Sequence, residues 1–403
     1  MPAHLLFVGG EDHHMRLPFM LALKARGYRL SAAASCDPGC FADAGIDFWP
    51  IAFDRYISPR SDVKSVGRLA DVLRRVNADV AHCFDTKLGV LTPLAAAELP
   101  HTRIVRTING RGWMFSSRSP VALGLRLLYP TLQRRAARRT DATIFEHDGD
   151  RRFFVHHRLL DESLFEVIPG AGIDVEGFDQ ARAKGFSRKA LRHMLDLGDA
   201  PVVFTATRVT RQKGIPALLK AAKLVHAERP DVRFVVAGPC EGGGPFAMRP
   251  ADFEAHAPYV LYLGPRSDVP SLLGMADIFA FPSEYAEGVP RALMEAALAE
   301  LPIVATELSG CREVIDHGRT GLLTPLRDPR ALADGVLALL RDPVRARKMG
   351  ARASEPIRSI FCLDNVVDRH AALYDRLVQL PSSRRRRERS KQNDFGRLFD
   401  PAA

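Results

Sequence analysis

The chain has 403 residues, of which 46% are hydrophobic and 26% charged, and a formal net charge of +10. That composition belongs to a folded globular protein, and the length exceeds what one core usually supports, so two domains are expected. Six scattered cysteines without a CxxC pair or zinc-type spacing argue against a disulfide framework and a zinc site. No apolar run reaches about 18 residues and the start lacks a basic, apolar leader, so neither export nor a membrane span is expected, and the cytoplasm is the expected compartment.

In chain order, "HLLFV", "RLSAAA", "DVAHCF", "TRIVRTI" and "ATIFEH" read as short buried strands, with helical patterns between them such as residues 17–26 and 65–75. A second series follows, "PVVFTAT", "VRFVVAG", "VLYLG", "DIFAFPS", "PIVATE" and "TGLLTP", separated by helices near 215–228, 267–275 and 291–300. Strand–helix alternation of this kind predicts an α/β class with parallel, doubly wound sheets and helices on both faces. The stretch "VIPGAGIDVEGF" breaks both periods with Pro169, Gly170 and Gly172, so the join is expected there. The expected division is a first Rossmann-like domain over 1–170 and a second over 171–360. A C-terminal helix over 361–380, expected to cross back to the first domain, and a basic tail over 381–403, low in apolar residues and expected to be disordered, complete it.

Ligands of such sheets bind beyond the carboxyl ends of strands, so the loops after strands carry the chemistry. After "PVVFTAT" come Arg208, Arg211, Lys213 and Gly214, just before a helix. Cations beside a helix N-terminus suit a diphosphate, and a solvated basic loop is the plainer alternative. After "DIFAFPS" comes "SEYAEGVPRALMEAA", with Glu287 and Glu295 eight residues apart and Gly288 and Pro290 at a helix start. Pro290 suits a first helical position, and Gly288 allows close backbone approach. Eight helical residues rise about 12 Å, which spaces the two acids for hydroxyls at the two ends of a nucleotide sugar. Two exposed glutamates flanking a helix start remain the alternative. The single DxD, Asp148 to Asp150, follows a strand and precedes a helix, and is read as an N-cap rather than a metal site.

In the first domain, Gly9 and Gly10 fit a tight turn beside a ligand, with His13 and His14 nearby. Arg16, Lys87 and Arg111 are candidates for a ligand's phosphates or are simple surface charges, and Asn109 can orient a ligand only by hydrogen bonds. No acid lies between Glu98 and Asp141, whereas nine arginines do. The leucines and arginines of "SPVALGLRLLYPTLQRRAARR" read either as a basic amphipathic surface for anionic lipid or as a core-facing helix with a solvated arginine face. Aromatics interleaved for base stacking are missing from this basic stretch, which argues against nucleic acid.

Taken together, "RVTRQKG", "LGPRSDVPSLLGMADIFAFPS", "EGVPRALMEAALAELPIVAT" and "GCREVIDHGRTGLL" resemble the donor half of a retaining family 4 glycosyltransferase of the GT-B fold, two Rossmann-like domains facing a central cleft. The resemblance implies catalytic roles for Glu287 on the transferred sugar and for Arg208 and Lys213 on the donor diphosphate. It implies that Glu295 takes the ribose, that main chain at Gly288, Val289 and Pro290 faces the phosphates and sugar, and that Arg266 borders the base. It also implies no cofactor and no obligatory metal. "MRLPFMLALKARGY", "FDTKLGVLTPLAA" and "RTINGRGWMF" resemble the subgroup that extends undecaprenyl diphosphate-linked sugars, although Asn109 stands where many relatives carry histidine. The implied partners are a nucleotide sugar, a lipid-linked glycan acceptor and an anionic membrane surface. The implied setting is peripheral, on the cytoplasmic face of the membrane. The side chains around "CEGGGPF" and Tyr285 are expected to select the sugar.

Overall fold

The computed structural model describes residues 2–379, except 54–58, 97, 98, 100, 118, 162, 163, 241–243 and 245. The tail at 381–403, and most of "CEGGGPF", lie outside the described residues. The chain divides into two compact units: Met1–Arg111, Ser119–Ile168 and Val366–Ala403 form the first, and Gly112–Arg118 with Pro169–Asn365 the second.

In the first unit, seven parallel strands form one sheet: β1 (His4–Val8), β2 (Arg29–Ala34), β3 (Asp47–Pro50), β4 (Val80–Cys83), β5 (Arg103–Ile108), β6 (Ala142–Phe145) and β7 (Leu164–Val167). Their spatial order is β3-β2-β1-β4-β5-β6-β7, so the winding direction reverses between β1 and β4. The sheet is two strands wider than the sequence pattern predicts. Both additions, β3 and β7, are edge strands whose side chains are partly or fully exposed. Edge strands need no continuous apolar run, and Pro50 is tolerated where no ladder partner awaits its nitrogen.

The helix Leu363–Gln379 belongs to this unit from Val366 onward. Its Tyr374 hydroxyl meets His82 Nδ1 at 2.6 Å, and His82 Nε2 meets Thr107 Oγ1 at 2.7 Å, all buried. Burial drives the pKa of His82 well below the ordinary histidine value and that of His370 down to about 4, so both are neutral.

In the second unit, β8 (Val202–Ala206), β9 (Arg233–Ala237), β10 (Val260–Tyr262), β11 (Ile278–Phe281), β12 (Ile303–Thr306) and β13 (Leu322–Thr324) run parallel in the order β10-β9-β8-β11-β12-β13. Alternate residues of one strand enter different cores. Val202, Phe204, Phe279 and Phe281 pack on one face, and Val203, Phe234, Ile278 and Ala280 on the other. Two buried faces explain why these strands read as unbroken apolar runs. Winding reverses between β8 and β11, which brings the loops after those two strands side by side.

Candidate active site

The loop after β8 ends in a single turn, Arg211–Lys213, capped by Thr210, whose side chain accepts from Lys213 N–H at 3.2 Å. Gly214 then adopts φ +73°, and a Cβ there would lie 1.9 Å from the carbonyl oxygen of Pro282. Only glycine lets this turn press against the loop after β11 and open the helix Ile215–Glu228. The two loops are also joined by Glu284 N–H donating to the Gln212 carbonyl at 2.9 Å.

Lys213 Nζ consequently reaches Glu287 Oε2 at 2.6 Å, and Ser283 Oγ donates to Glu287 Oε1 at 2.8 Å. Lys213 is 9% exposed, so the ion pair is largely shielded and stronger than a surface pair. The ammonium also lies 5.6 Å from the Tyr285 ring centroid, on the cation–π side of the ring. Ser283 is itself fully buried, and its carbonyl accepts from Thr306 Oγ1. Arg208, half-buried, is flanked by Thr207 and Val209, whose N–H groups donate to Ala237 and Pro239 carbonyls.

Two expectations about the opening stretch need correction. The helix begins at Arg291, with Pro290 as its N-cap in extended conformation, so Pro290 is not the first helical residue. Glu287 therefore lies in irregular backbone, and the eight residues from Glu287 to Glu295 are not one helical rise. Gly288 itself packs closely: a Cβ on Gly310 would sit 1.6 Å from the Gly288 carbonyl oxygen, so Gly310 is a glycine this packing requires. Glu295 Oε1 accepts from Arg291 Nε at 2.8 Å, one turn away. The side chain of Val289 is buried in the core. Arg266 is clamped by Asp268 through Nε at 2.7 Å and Nη2 at 2.6 Å, and that pairing holds the Asp268 carboxyl below its usual range.

The first unit brings together a different set at its own winding reversal. Asp85, in the loop after β4, takes φ +76° and accepts from Gly10 N–H at 3.2 Å and from Asn109 Nδ2 at 3.4 Å. A non-glycine residue in that region is strained, and such strain concentrates at functional positions. Gly9 is needed by a side chain: a Cβ there would lie 1.8 Å from His13 Nδ1. His13 is fully buried, packs on Phe41 and Phe84, and is held neutral by desolvation, whereas His14 stays exposed. Arg16 lies over the Phe84 ring at 4.2 Å, Lys87 pairs with Asp62 at 2.5 Å, and Arg111 pairs with Asp150 at 3.0 Å.

The DxD acids are engaged too, and neither caps the helix Asp148–His156. Its N-cap is His147, whose Nδ1 accepts from Asp150 N–H at 3.1 Å, while Asp148 binds Arg151 and Arg152. Among the described residues no cluster of three or more His, Cys, Asp or Glu is arranged to hold a metal ion. All six cysteines are free thiols.

Sequence reasoning missed Asp85, Ser283, Thr306 and Gly310. Nothing in the sequence signalled Asp85 and Thr306, whose partners lie 75 and 23 positions away, and Ser283, only four positions from Glu287, carried no motif of its own. A glycine at the start of the helix Ser309–Val314 was the one usable hint for Gly310.

Comparison with known proteins meets this geometry at both ends of the chain. Residues 200–342 match the family model for glycosyl transferases group 1, and residues 19–177 that for glycosyltransferase family 4. The chain is 28% identical over 327 residues to an Escherichia coli UDP-Gal:alpha-D-GlcNAc-diphosphoundecaprenol alpha-1,3-galactosyltransferase, covering 80% of this chain and 82% of that one. A Campylobacter jejuni N,N'-diacetylbacillosaminyl-diphospho-undecaprenol alpha-1,3-N-acetylgalactosaminyltransferase is 25% identical, with 93% and 98% covered. A Mycolicibacterium smegmatis GDP-mannose-dependent alpha-(1-6)-phosphatidylinositol monomannoside mannosyltransferase is 30% identical, with 74% of each chain covered. Among solved structures, Anabaena HepE in complex with UDP superposes with a TM-score of 0.72 at 19% identity, covering 93% of this chain and all of that one. Sucrose-phosphate synthase from Thermosynechococcus elongatus gives 0.76 at 16% identity, with 93% and 99% covered. With its two parallel sheets, its matches in both halves and relatives along most of its length, the chain is a glycosyltransferase of the GT-B fold and belongs to family 4.

Proposed function

We propose that this glycosyltransferase moves a sugar, with retention at the anomeric carbon, from a UDP-sugar to a glycan carried on a polyprenyl diphosphate, as in surface polysaccharide assembly. The observation that carries the reading is the shielded Lys213–Glu287 pair at the winding reversal of the second sheet, where α/β folds bind ligands. In this reading the donor diphosphate takes over Lys213, together with Arg208 and the N-terminus of the helix Ile215–Glu228, and the sugar hydroxyls take over Glu287. Glu295 exchanges Arg291 for the ribose hydroxyls, Arg266 borders the base, and main chain at Gly288, Val289 and Pro290 lines the phosphates and sugar. As the bond from the anomeric carbon to the phosphate oxygen breaks, charge gathers on the leaving diphosphate. Fixed cations and helix N–H groups stabilise it there, so no metal is assigned to the step. The acceptor hydroxyl forms the new bond on the same face and passes its proton to the leaving phosphate oxygen.

The first unit is assigned to the acceptor, with Gly9, Gly10, Arg16, Lys87, Asn109 and Arg111 as its binding residues, of which Gly10 and Asn109 bond Asp85. Lys87 and Arg111 exchange Asp62 and Asp150 for the acceptor diphosphate. The uridine base is supported by the UDP named for the E. coli relative and for HepE, and the polyprenyl acceptor by the names of the E. coli and Campylobacter relatives. Membrane attachment is supported by the helix Pro120–Ala137. Its solvent side carries Val121, Leu123, Leu127 and Leu128, with Leu127 81% exposed, followed by exposed Arg134, Arg135 and Arg138. Apolar insertion plus about 1 kcal/mol per basic residue near an anionic leaflet suits a peripheral protein. No helix among the described residues is long and apolar enough to cross a membrane.

The test is a panel of UDP- and GDP-sugars scored by thermal shift on the full chain, then transfer to a polyprenyl diphosphate sugar. A UDP-sugar should stabilise the protein and be turned over, with Glu287→Ala losing roughly 100-fold or more in kcat. Turnover unchanged in Glu287→Ala overturns the site, and a soluble acceptor used as well as the lipid-linked one overturns the acceptor. Salt-sensitive sedimentation with anionic vesicles tests the membrane face, and its absence removes that part.

A further inference from the structure

The loop that carries Glu287 is held from four directions, and one of them comes from far upstream. Three anchors belong to the stretch Pro169–Asn365. Gln212 accepts from Glu284 N–H, Thr306 Oγ1 donates to the Ser283 carbonyl, and Ser283 Oγ bonds both the Glu287 carboxylate and Tyr285 N–H. The fourth is the segment Gly112–Arg118, whose neighbours in sequence belong to the first unit while it packs with the second. Gly110 and Gly112, at φ +102° and +72°, turn the chain where it passes from one unit into the other.

We propose that this segment is a clamp that sets the position of Glu287, with Ser116 and Arg327 as positioning residues; the proposal rests on the reading of Glu287 as the group that holds the transferred sugar. Ser116 Oγ accepts from Ala286 N–H at 2.7 Å, and Gly112 N–H donates to the Ala286 carbonyl at 3.2 Å. Both polar groups of the residue directly before Glu287 are therefore fixed. The Ser116 hydroxyl proton points to the Gly112 carbonyl at 3.3 Å, which leaves its lone pair free to receive Ala286 N–H. Arg327 then bridges the two strands of the clamp, with Nε to Glu284 Oε2 at 2.5 Å and Nη2 to the Ser116 carbonyl at 2.9 Å. Arg327 holds φ +61°, a conformation that side chains adopt seldom and that marks a constrained position.

Fixing Ala286 on both sides denies its flanking peptides rotation, and rotation there is what would swing the Glu287 carboxylate. Small misplacements of a reacting group cost rate out of proportion to binding. Ser116 touches no reacting atom in this reading, so its loss should appear in kcat and leave nucleotide affinity alone.

The experiment compares the full chain with Ser116→Ala, Ser116→Thr, Arg327→Gln and Glu287→Ala, measuring kcat, donor KM, UDP affinity by calorimetry, melting temperature and amide exchange of the peptide spanning 284–290. Ser116→Ala should lower kcat about 10-fold, keep UDP affinity within about 2-fold and speed exchange at Ala286, with Ser116→Thr restoring most of the rate. Arg327→Gln should act the same way more weakly, and it supplies the test if Ser116→Ala does not fold. A kcat unchanged in folded Ser116→Ala and Arg327→Gln, or a loss confined to KM, overturns the clamp. Glu287→Ala separates the two claims: if it is silent the site assignment fails, whereas if it is dead and the clamp variants are silent only the clamp fails.

Discussion

The two sheets share a winding pattern and differ in what lies at its reversal. In the second unit the reversal presents a lysine and a glutamate whose partners within bonding distance are mainly each other and the loops that position them. In the first unit the reversal presents a strained aspartate, while the nearby cations are already taken by Asp62, Asp150 and the face of Phe84. Lys213 is held by Glu287 from the loop after another strand of the same sheet, and Lys87 and Arg111 are held by Asp62 and Asp150, so a ligand would have to outcompete an acid in either unit. The difference teaches that the same winding pattern can set either a cross-loop ion pair or a strained, hydrogen-bonded aspartate at its reversal.

The sharpest way to break this contrast is Lys213→Ala, which should lose roughly 100-fold or more in kcat, because it strips a fixed cation from the developing diphosphate charge. Single-turnover assays check it, and a loss below about 3-fold would place the chemistry elsewhere. Next comes Asp85→Ala, expected to cost about 10-fold in transfer with nucleotide affinity unchanged. Equal losses in UDP binding, measured by calorimetry, would erase the division of labour between the units.

Acid stability probes the other side of the comparison. His13, His82 and His370 are buried neutral in the first unit, so their folded pKa values are depressed and the unfolded chain takes up the protons first. Stability they contribute is complete above the unfolded value of about 6.5 and is lost as pH falls through their depressed folded values, about 4 for His370. Amide exchange between pH 7 and 4.5 should show the first unit loosening ahead of the second, and simultaneous loss in both would contradict it. The smallest effect expected is for Glu295→Gln, a few-fold rise in donor KM with kcat kept, since its i,i+4 partner Arg291 is half exposed and such pairs contribute only about 0.3–0.5 kcal/mol. Initial rates at varied UDP-sugar decide it.

Much of this architecture was legible in the sequence, for a reason that applies unevenly. Strands buried on both faces announce themselves as apolar runs, as β8, β9, β11 and β12 do, and the edge strands β10 and β13 keep an apolar core in "VLY" and "LLT", whereas the half-exposed edges β3 and β7 do not announce themselves. Lys213 and Glu287 were legible because each follows a strand and precedes a helix, which is where α/β folds put ligands. Their contact was not, since it depends on Gly214 pressing the turn against Pro282. The arginines of the helix Pro120–Ala137 were visible at once. That its leucines at 123, 127 and 128 face solvent was settled only by packing, which turned Ala122, Tyr129 and Gln133 inward instead.

By itself, then, the sequence determined the fold class, the parallel winding and the residue types of the site, because hydrophobic period and loop chemistry are local properties. Only the tertiary structure decided which loops Asp85, Ser116, Thr306 and Arg327 bond to and that His13 does not reach solvent. Those outcomes depend on contacts between residues far apart in the chain, made once burial has settled which polar groups remain to be satisfied.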